Sequence, residues 1–311
     1  MPAGPMHAHE APLDDALVRR LLAARFPKWA ELPLKHVESA GTVNALYRLG
    51  DDMVVRLPRI AAGADDVLKE GMWLPRLAPL LPVPVPELLA VGPPCEDYPW
   101  SWGVLRWLEG ELPAVGALDD AEQLAVGLGR FVAALRDAEL PGGPPAYRGG
   151  PLTTVDAETR TAIAALHGTV DTTAATAAWE AALAQPPWTA PPVWVHSDLM
   201  PMNLLVHRGR LSAVLDFATA GTGDPACDLI PAWNLLPASA RPAFRDAAGA
   251  DDATWARGRG WALSMALVQL PYYRTTNPVI AANAEHVIRE VLAELRGPVR
   301  ATPRRHPTAA G

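Results

Sequence analysis

The sequence predicts an α+β protein of two lobes, a small strand-rich N-terminal lobe and a larger, mainly helical C-terminal lobe. Three observations carry this. After a leading helical stretch, the first hundred or so positions alternate short apolar runs rich in Val, Leu and Tyr with one further helical stretch. The segment "LPVPVPE" (81–87) has three alternating prolines that force an extended connector. From Asp119 onward helical periodicity dominates, interrupted by one hairpin pattern.

Residues 12–26 place Leu13, Leu17, Leu21 and Leu22 on one helical face, with Asp14 and Asp15 in the first turn where the helix dipole favours them. "NALYRL" (44–49) and "MVVRLP" (53–58) flank "GDD" as a hairpin. Residues 65–80 read as a helix that Pro75 and Pro79 bend or end. "SWGVLRWLEG" (101–110) reads as a strand leaving the first lobe. Residues 119–140 form a helix whose stripe is Leu124, Leu128, Phe131, Val132 and Leu135. A Gly/Pro-rich loop (141–151) and an alanine-rich helical stretch (155–184) follow. "LLV" and "LSAVLDF" flank "HRGR" (207–210) as a second hairpin. Helical patterns occupy about 226–236, 239–248, 253–270 and 279–295, and the tail is expected to be disordered. There is no internal repeat. Two lobes imply a cleft, and ligands favour clefts.

The chain has 311 residues, of which 50% are hydrophobic and 20% charged, as in ordinary globular proteins. With 27 basic and 34 acidic side chains the net charge is −7, which argues against a nucleic-acid partner. The two cysteines, Cys95 and Cys227, have no metal-ligand spacing, so a reducing cytoplasm is expected. No signal-peptide pattern opens the chain, and no apolar run approaches the roughly 18–20 residues of a membrane span. Oligomeric state is not legible.

Chemistry concentrates in "WVHSDLMPMNLLV" (194–206). His196, Asp198 and Asn203 have the spacing H-x-D-x-x-x-x-N of a kinase catalytic loop. Asp216 follows in "VLDF", at the far end of the second hairpin, which returns it to Asn203. Phosphoryl transfer from ATP develops charge on phosphate oxygens, so it needs positioning and electrostatic stabilisation. Asn203 and Asp216 offer the hard oxygens that Mg²⁺ prefers. Asp198 would accept the proton of the acceptor hydroxyl, and His196 is better read as a structural hydrogen-bonder. A plain hydrogen-bonded turn is the competing reading of the trio.

The N-terminal lobe supplies matching parts. Arg56 in "MVVRL" is a phosphate-anchoring cation on a strand, and Glu70 in "VLKEGMW" is its partner on the next helix. "SAGTVNALYRL" (39–49) is a candidate phosphate-covering loop, with Gly41, Thr42 and Asn44 at its centre, although one glycine is few. Backbone groups around Arg106 and Leu108 fall where a connector would meet the base of a nucleotide.

Together these residues resemble the aminoglycoside phosphotransferase family, small-molecule relatives of the protein kinases. The resemblance runs from about residue 30 to 295 and includes "VVRLPR", "YPWSWGVLRWLEGE", "GDPACDL" and "LPYYRTTNP". It implies a bilobal kinase-like fold with a nucleotide-binding lobe (1–103), a hinge (104–110), a helical lobe carrying the catalytic loop and acceptor site (111–295) and a tail (296–311). It also implies ATP as donor, with GTP an open alternative, Mg²⁺ as cofactor and a small hydroxylated molecule as acceptor, such as an antibiotic or a metabolite. Asp228 would brace the catalytic loop and Asp224 would orient its turn. Tyr272, Tyr273 and Asn277 could line the acceptor pocket or could be core aromatics beside a polar turn.

Departures from the family pattern stand at Ser197, Met200, Met202 and Ala218, where relatives usually have Gly, His, Gly and Gly. Arg56 replaces the kinase lysine, and a guanidinium fork can still hold phosphates. Ala218 would be strained if its φ were positive. The departures motivate a rival reading, a degenerate member that binds nucleotide or ligand without transfer.

Overall fold

The computed structural model describes residues 13–39, 41 and 43–296. Thr42, the N-terminal segment without a signal-peptide pattern and the tail expected to be disordered lie outside them.

Helix α1 (Asp15–Arg25) starts at Asp14, whose carboxylate accepts the Leu17 N–H at 2.7 Å. Its buried stripe of Leu17, Val18, Leu21 and Leu22 packs on one face of a five-stranded antiparallel sheet. The sheet order is β1 (Leu34–Val37), β2 (Asn44–Leu49), β3 (Met53–Pro58), β5 (Trp102–Arg106), β4 (Leu88–Gly92). In β2, Ala45, Tyr47 and Leu49 alternate inward, and Met53, Val55 and Leu57 do so in β3. Arg56, between Val55 and Leu57, therefore points to the opposite face. There α2 (Asp66–Leu77) crosses the sheet. Arg56 pairs with Gly103 across the β3–β5 ladder. A Cβ on Gly103 would stand 2.7 Å from the Val67 side chain, so the bare glycine is what lets α2 approach closely.

The helix over 65–80 ends three residues early as an α-helix. Pro75 is accommodated inside α2, and Ala78–Leu80 tightens into a 3₁₀ turn. Two edge strands were not legible, β1 and β4. The first is four residues long and exposes its two central residues. The second follows the proline connector directly.

The C-terminal lobe has helices α3 (Ala121–Arg136), α4 (Asp156–Ala165), α5 (Thr172–Leu183), α6 (Pro231–Asn234), α7 (Arg241–Ala248), α8 (Asp252–Tyr273) and α9 (Pro278–Arg296). The alanine-rich stretch is two helices, because Gly168 at φ 77° turns the chain between them. Phe131, Trp179, Trp194 and Trp233 are fully buried in one core. Leu74 and Leu77 of α2 join this core, and Trp73 packs on Trp194 with ring centroids 5.0 Å apart. Each fully buried leucine contributes about 1.5–3 kcal/mol, so α2 is fastened to both lobes.

Two small antiparallel ladders carry the cleft floor. β6 (Val193–Val195) pairs with β9 (Gly221–Gly223), and β7 (Leu204–His207) pairs with β8 (Arg210–Val214). The second turn is tighter than "HRGR" suggests. His207 and Arg210 pair, and only Arg208 (φ 51°) and Gly209 (φ 73°) form the turn, a pair of left-handed residues that matches strand twist.

Candidate active site

The catalytic loop leaves β6 at His196. Asp228, 1% exposed, accepts the His196 N–H on Oδ2 and the Ser197 N–H on Oδ1, both at 2.7 Å. Burial pushes the Asp228 carboxyl upward, against the pull of His196 and of these two amides. The carboxylate thus braces the loop from beneath. The Asp198 N–H points at His196 Nδ1 at 3.3 Å, which places the ring proton on Nε2, donated to Leu215 O at 2.9 Å. Both ring nitrogens of the buried His196 are thus engaged in hydrogen bonds.

Ser197 sits at φ 63°, a left-handed conformation rare for serine. Its hydroxyl donates to Thr219 O at 2.8 Å, and the Thr219 hydroxyl returns a bond to His196 O at 2.9 Å. The strain foreseen for Ala218 is absent, since Ala218 has no positive φ. The left-handed residue of that turn is Asp216, at φ 59°.

The second hairpin pairs Leu204 with Val214, and Leu215 N donates to Asn203 O at 2.8 Å. Asn203 and Asp216 consequently emerge at one end of the ladder. Asn203 Nδ2 donates to Asp198 O at 2.9 Å and to Asp198 Oδ2 at 3.1 Å. That leaves the amide oxygen of Asn203 as a ligand atom. Asp216 Oδ1 accepts the Ala218 N–H at 3.3 Å, which leaves Oδ2. Two hard oxygens fit Mg²⁺, whose shell substrate phosphates and water would complete. Among the described residues no group of three or more His, Cys, Asp or Glu side chains could hold a metal ion.

Arg56 and Glu70 form a buried ion pair between β3 and α2. Burial works against the guanidinium charge, but Glu70, helped by Asp216 and Asp66, holds Arg56 above its ordinary value. Glu70 Oε1 also accepts the N–H of Phe217, at 2.8 Å. Lys69 reaches over to Ala218 O at 2.6 Å. Sequence reasoning missed Asp66, which opens α2 beside this set. Its carboxyl is pushed up to about 6, by burial first and by Asp216 next, with Arg56 and Lys69 opposing.

The remaining candidates are less concentrated. Gly41 N donates to Ser39 Oγ at 3.0 Å, and Asn44 opens β2 with its side-chain oxygen buried and unpartnered. At the end of β5, Arg106 N donates to Glu87 O and Trp107 N to Asp52 O, at 2.9 and 2.7 Å. Arg106 also binds the Glu87 carboxylate through its side chain, so of these three amides the one left for a base is that of Leu108. In "LPYYRTTNP", Asn277, 5% exposed, caps α9 by accepting the Ile280 N–H at 3.2 Å. Tyr272 is 59% exposed, and Tyr273 stacks edgewise on it while packing against the helical core.

Two further site residues escaped the sequence reading. Arg257, on α8, makes a two-pronged ion pair with Asp224, at 2.8 and 3.1 Å, fixing the segment after β9. A charged residue inside the apolar pattern "WARGRGWALSM" was its signal. Arg148, from the Gly/Pro-rich loop, binds Asp198 itself. Its Nη1 lies 2.9 Å from Asp198 Oδ1 and 3.1 Å from Ser197 O.

A model of the phosphotransferase enzyme family matches residues 38–261, most of the chain. The chain belongs to this family. Among curated protein sequences none matches. Solved structures of other phosphotransferases share its fold. The GDP complex of wild-type aminoglycoside 2′-phosphotransferase-IIIa superposes with a TM-score of 0.70 at 18% identity, covering 91% of this chain and 100% of that one. A GDP and kanamycin complex of a related enzyme gives 0.67 at 18%, covering 89% and 98%. A macrolide 2′-phosphotransferase from Brachybacterium faecium gives 0.60 at 23%, covering 93% and 100%. At such identities the likeness establishes the kinase-like fold. Within this phosphotransferase, Ser197 holds a left-handed conformation directly before Asp198.

Proposed function

We propose that this protein transfers the γ-phosphoryl group of ATP, with Mg²⁺, to a hydroxyl of a small molecule. The observation that carries the reading is the convergence of Asp198, Asn203 and Asp216 on one loop and one hairpin end, with Arg56–Glu70 tied to Phe217 directly beside Asp216.

Arg56 keeps N–H groups beyond the one used by Glu70, and these orient the phosphates. Asn203 and Asp216 would hold Mg²⁺, which when bound would neutralise charge on the transferring phosphoryl group. Asp198, fixed by Asn203, orients the acceptor hydroxyl. As that oxygen forms its bond to the γ-phosphorus, the bond from phosphorus to the bridging oxygen of ADP breaks, and the hydroxyl proton passes to Asp198.

Similar structures hold GDP, ADP or ATP, which supports a purine nucleotide as donor, with GTP the alternative to ATP. They include complexes with kanamycin, gentamicin and streptomycin and a macrolide 2′-phosphotransferase, which supports a hydroxylated antibiotic or a comparable metabolite as the acceptor. Antibiotic inactivation is the corresponding role, and the cytoplasm, where ATP is abundant, the corresponding place. Among the described residues no helix is long and apolar enough to cross a membrane.

The test is ADP release from Mg·ATP against a panel of hydroxylated antibiotics, sugars and amino alcohols. Release with one acceptor class that disappears in Asp198→Asn is the expected result. Nucleotide binding without release on any acceptor would replace the reading with that of a binding protein.

A further inference from the structure

The loop before α4 is locked onto the catalytic loop more tightly than a connection needs. Ala146 N donates to Thr222 O and Thr222 N to Pro144 O, at 3.0 and 2.7 Å, so the loop runs alongside β9. Tyr147 N donates to Thr219 O at 3.1 Å and Asp224 N to Gly149 O at 2.8 Å. Gly149 and Gly223 meet backbone to backbone. A Cβ on Gly223 would stand 2.5 Å from Gly149 Cα, a contact only glycine permits. Arg148, held between these anchors, has its guanidinium on the Asp198 carboxylate, with 21% and 24% of the two side chains exposed.

Both carboxylate oxygens of Asp198 are then engaged, Oδ1 by Arg148 and Oδ2 by Asn203. Two donors on two sides fix the plane of the carboxylate. The remaining lone pairs are left for the acceptor hydroxyl. Arg148 also offsets the negative charge that would otherwise attract a cation to this point. An ammonium group on the atom next to the reacting hydroxyl would come within a few ångströms of the guanidinium, where like charges repel strongly at partial burial. Beside it Tyr147, 76% exposed, presents an aromatic face, with the Arg148 guanidinium 4.9 Å from its ring centre. An exposed ring next to a cation suits a flat or sugar-like body that is neutral or anionic.

We propose that Arg148 is a positioning and specificity residue, which sets the Asp198 carboxylate and selects an acceptor with no ammonium group beside the reacting hydroxyl. The inference rests on Asp198 being the group that orients that hydroxyl. It points away from the aminoglycosides named for structurally similar enzymes and toward neutral or acidic hydroxylated ring compounds.

The experiment compares matched acceptors, 2-amino-2-deoxy sugars and kanamycin against the parent sugars and the corresponding uronic acids. ADP release is measured for the native protein, Arg148→Gln, Arg148→Lys and Asp198→Asn. Native kcat/KM should favour the neutral or acidic member of each pair by at least about tenfold. Arg148→Gln should erase that preference and lower kcat while leaving the KM for ATP unchanged, a split that general loosening of the fold would not give. Arg148→Lys keeps the charge and should keep the preference, and if the glutamine variant does not fold by circular dichroism, loss of the preference in Arg148→Lys overturns the proposal. Native preference for the amino members, or an unaltered preference in a folded Arg148→Gln, also overturns it. If Asp198→Asn still transfers, the role of Asp198 falls, and this inference with it. If Asp198→Asn is inactive while both Arg148 variants behave as native, this inference alone falls. No transfer from the native protein to any member overturns both.

Discussion

Glu70 accepts the backbone N–H of Phe217 on one carboxylate oxygen, at 2.8 Å, while the other holds the Arg56 guanidinium. One side chain of α2 thereby connects strand β3 of the N-terminal lobe to the residue after Asp216. Arg56, proposed to anchor the nucleotide, and Asp216, proposed to hold the metal, cannot move independently while Glu70 bridges them.

Replacing Glu70 with Ala strands a guanidinium that is 7% exposed and removes the acceptor of a buried amide. Leaving one member of a buried pair unpaired costs about 3–5 kcal/mol. Urea unfolding should register a loss of that order, together with a raised KM for ATP. Glu70→Gln keeps an acceptor for Phe217 and should fall between the alanine variant and the native protein. Equal stability of all three would detach the pair from the fold.

Asp198 and Asp216 should separate into different kinetic effects. Asp198→Asn keeps the size of the side chain, and nucleotide affinity should hold, while transfer drops by about 10²–10⁴-fold, the usual contribution of a proton acceptor. Asp216→Ala removes a ligand oxygen, so Mg-dependent ATP affinity itself should weaken, read by calorimetry with and without Mg²⁺. Unchanged affinity in Asp216→Ala would remove it from the metal site.

Ser197 sets two effects against each other. Its left-handed conformation costs about 1 kcal/mol relative to glycine, and its hydroxyl bond to Thr219 O returns about 1 kcal/mol. Ser197→Gly should therefore be close to neutral in stability. Ser197→Ala keeps the strain, loses the bond and should lie about 1 kcal/mol or more below the glycine variant. An alanine variant as stable as the glycine variant in denaturant titrations would show that the left-handed conformation carries no such cost.

The catalytic loop was readable because its parts are local. His196, Asp198 and Asn203 are spaced by the loop they form, and a two-residue turn returns Asp216 to them. Arg56 and Glu70 were readable because strand and helix follow each other directly. Arg148 was not, since its loop has no periodicity and only its glycine contacts with β9 decide where the side chain lands. Asp66 was hidden for a similar reason, as an acidic residue in the first turn of a helix has an ordinary explanation in the dipole. The aromatic pair Tyr272 and Tyr273 closes α8, and periodicity alone does not separate such a helix end from a pocket wall.

The long helix α8 begins with a measurable pH device. Asp251 accepts the Thr254 N–H at 2.6 Å, and bonds to the Thr254 backbone and side chain hold its carboxyl below the ordinary value. A depressed folded value means that the unfolded chain takes up the proton first as pH falls. The stabilisation is fully present above the unfolded value, near 4, and is lost as pH drops through the lower, folded one. Asp251→Ala should cost about 1 kcal/mol at pH 7, as the loss of a helix cap does. The gap between native and variant midpoints in urea should narrow below about pH 4. A gap that stayed constant from pH 7 to pH 3 would mean that the ionisation of Asp251 contributes nothing to the cap.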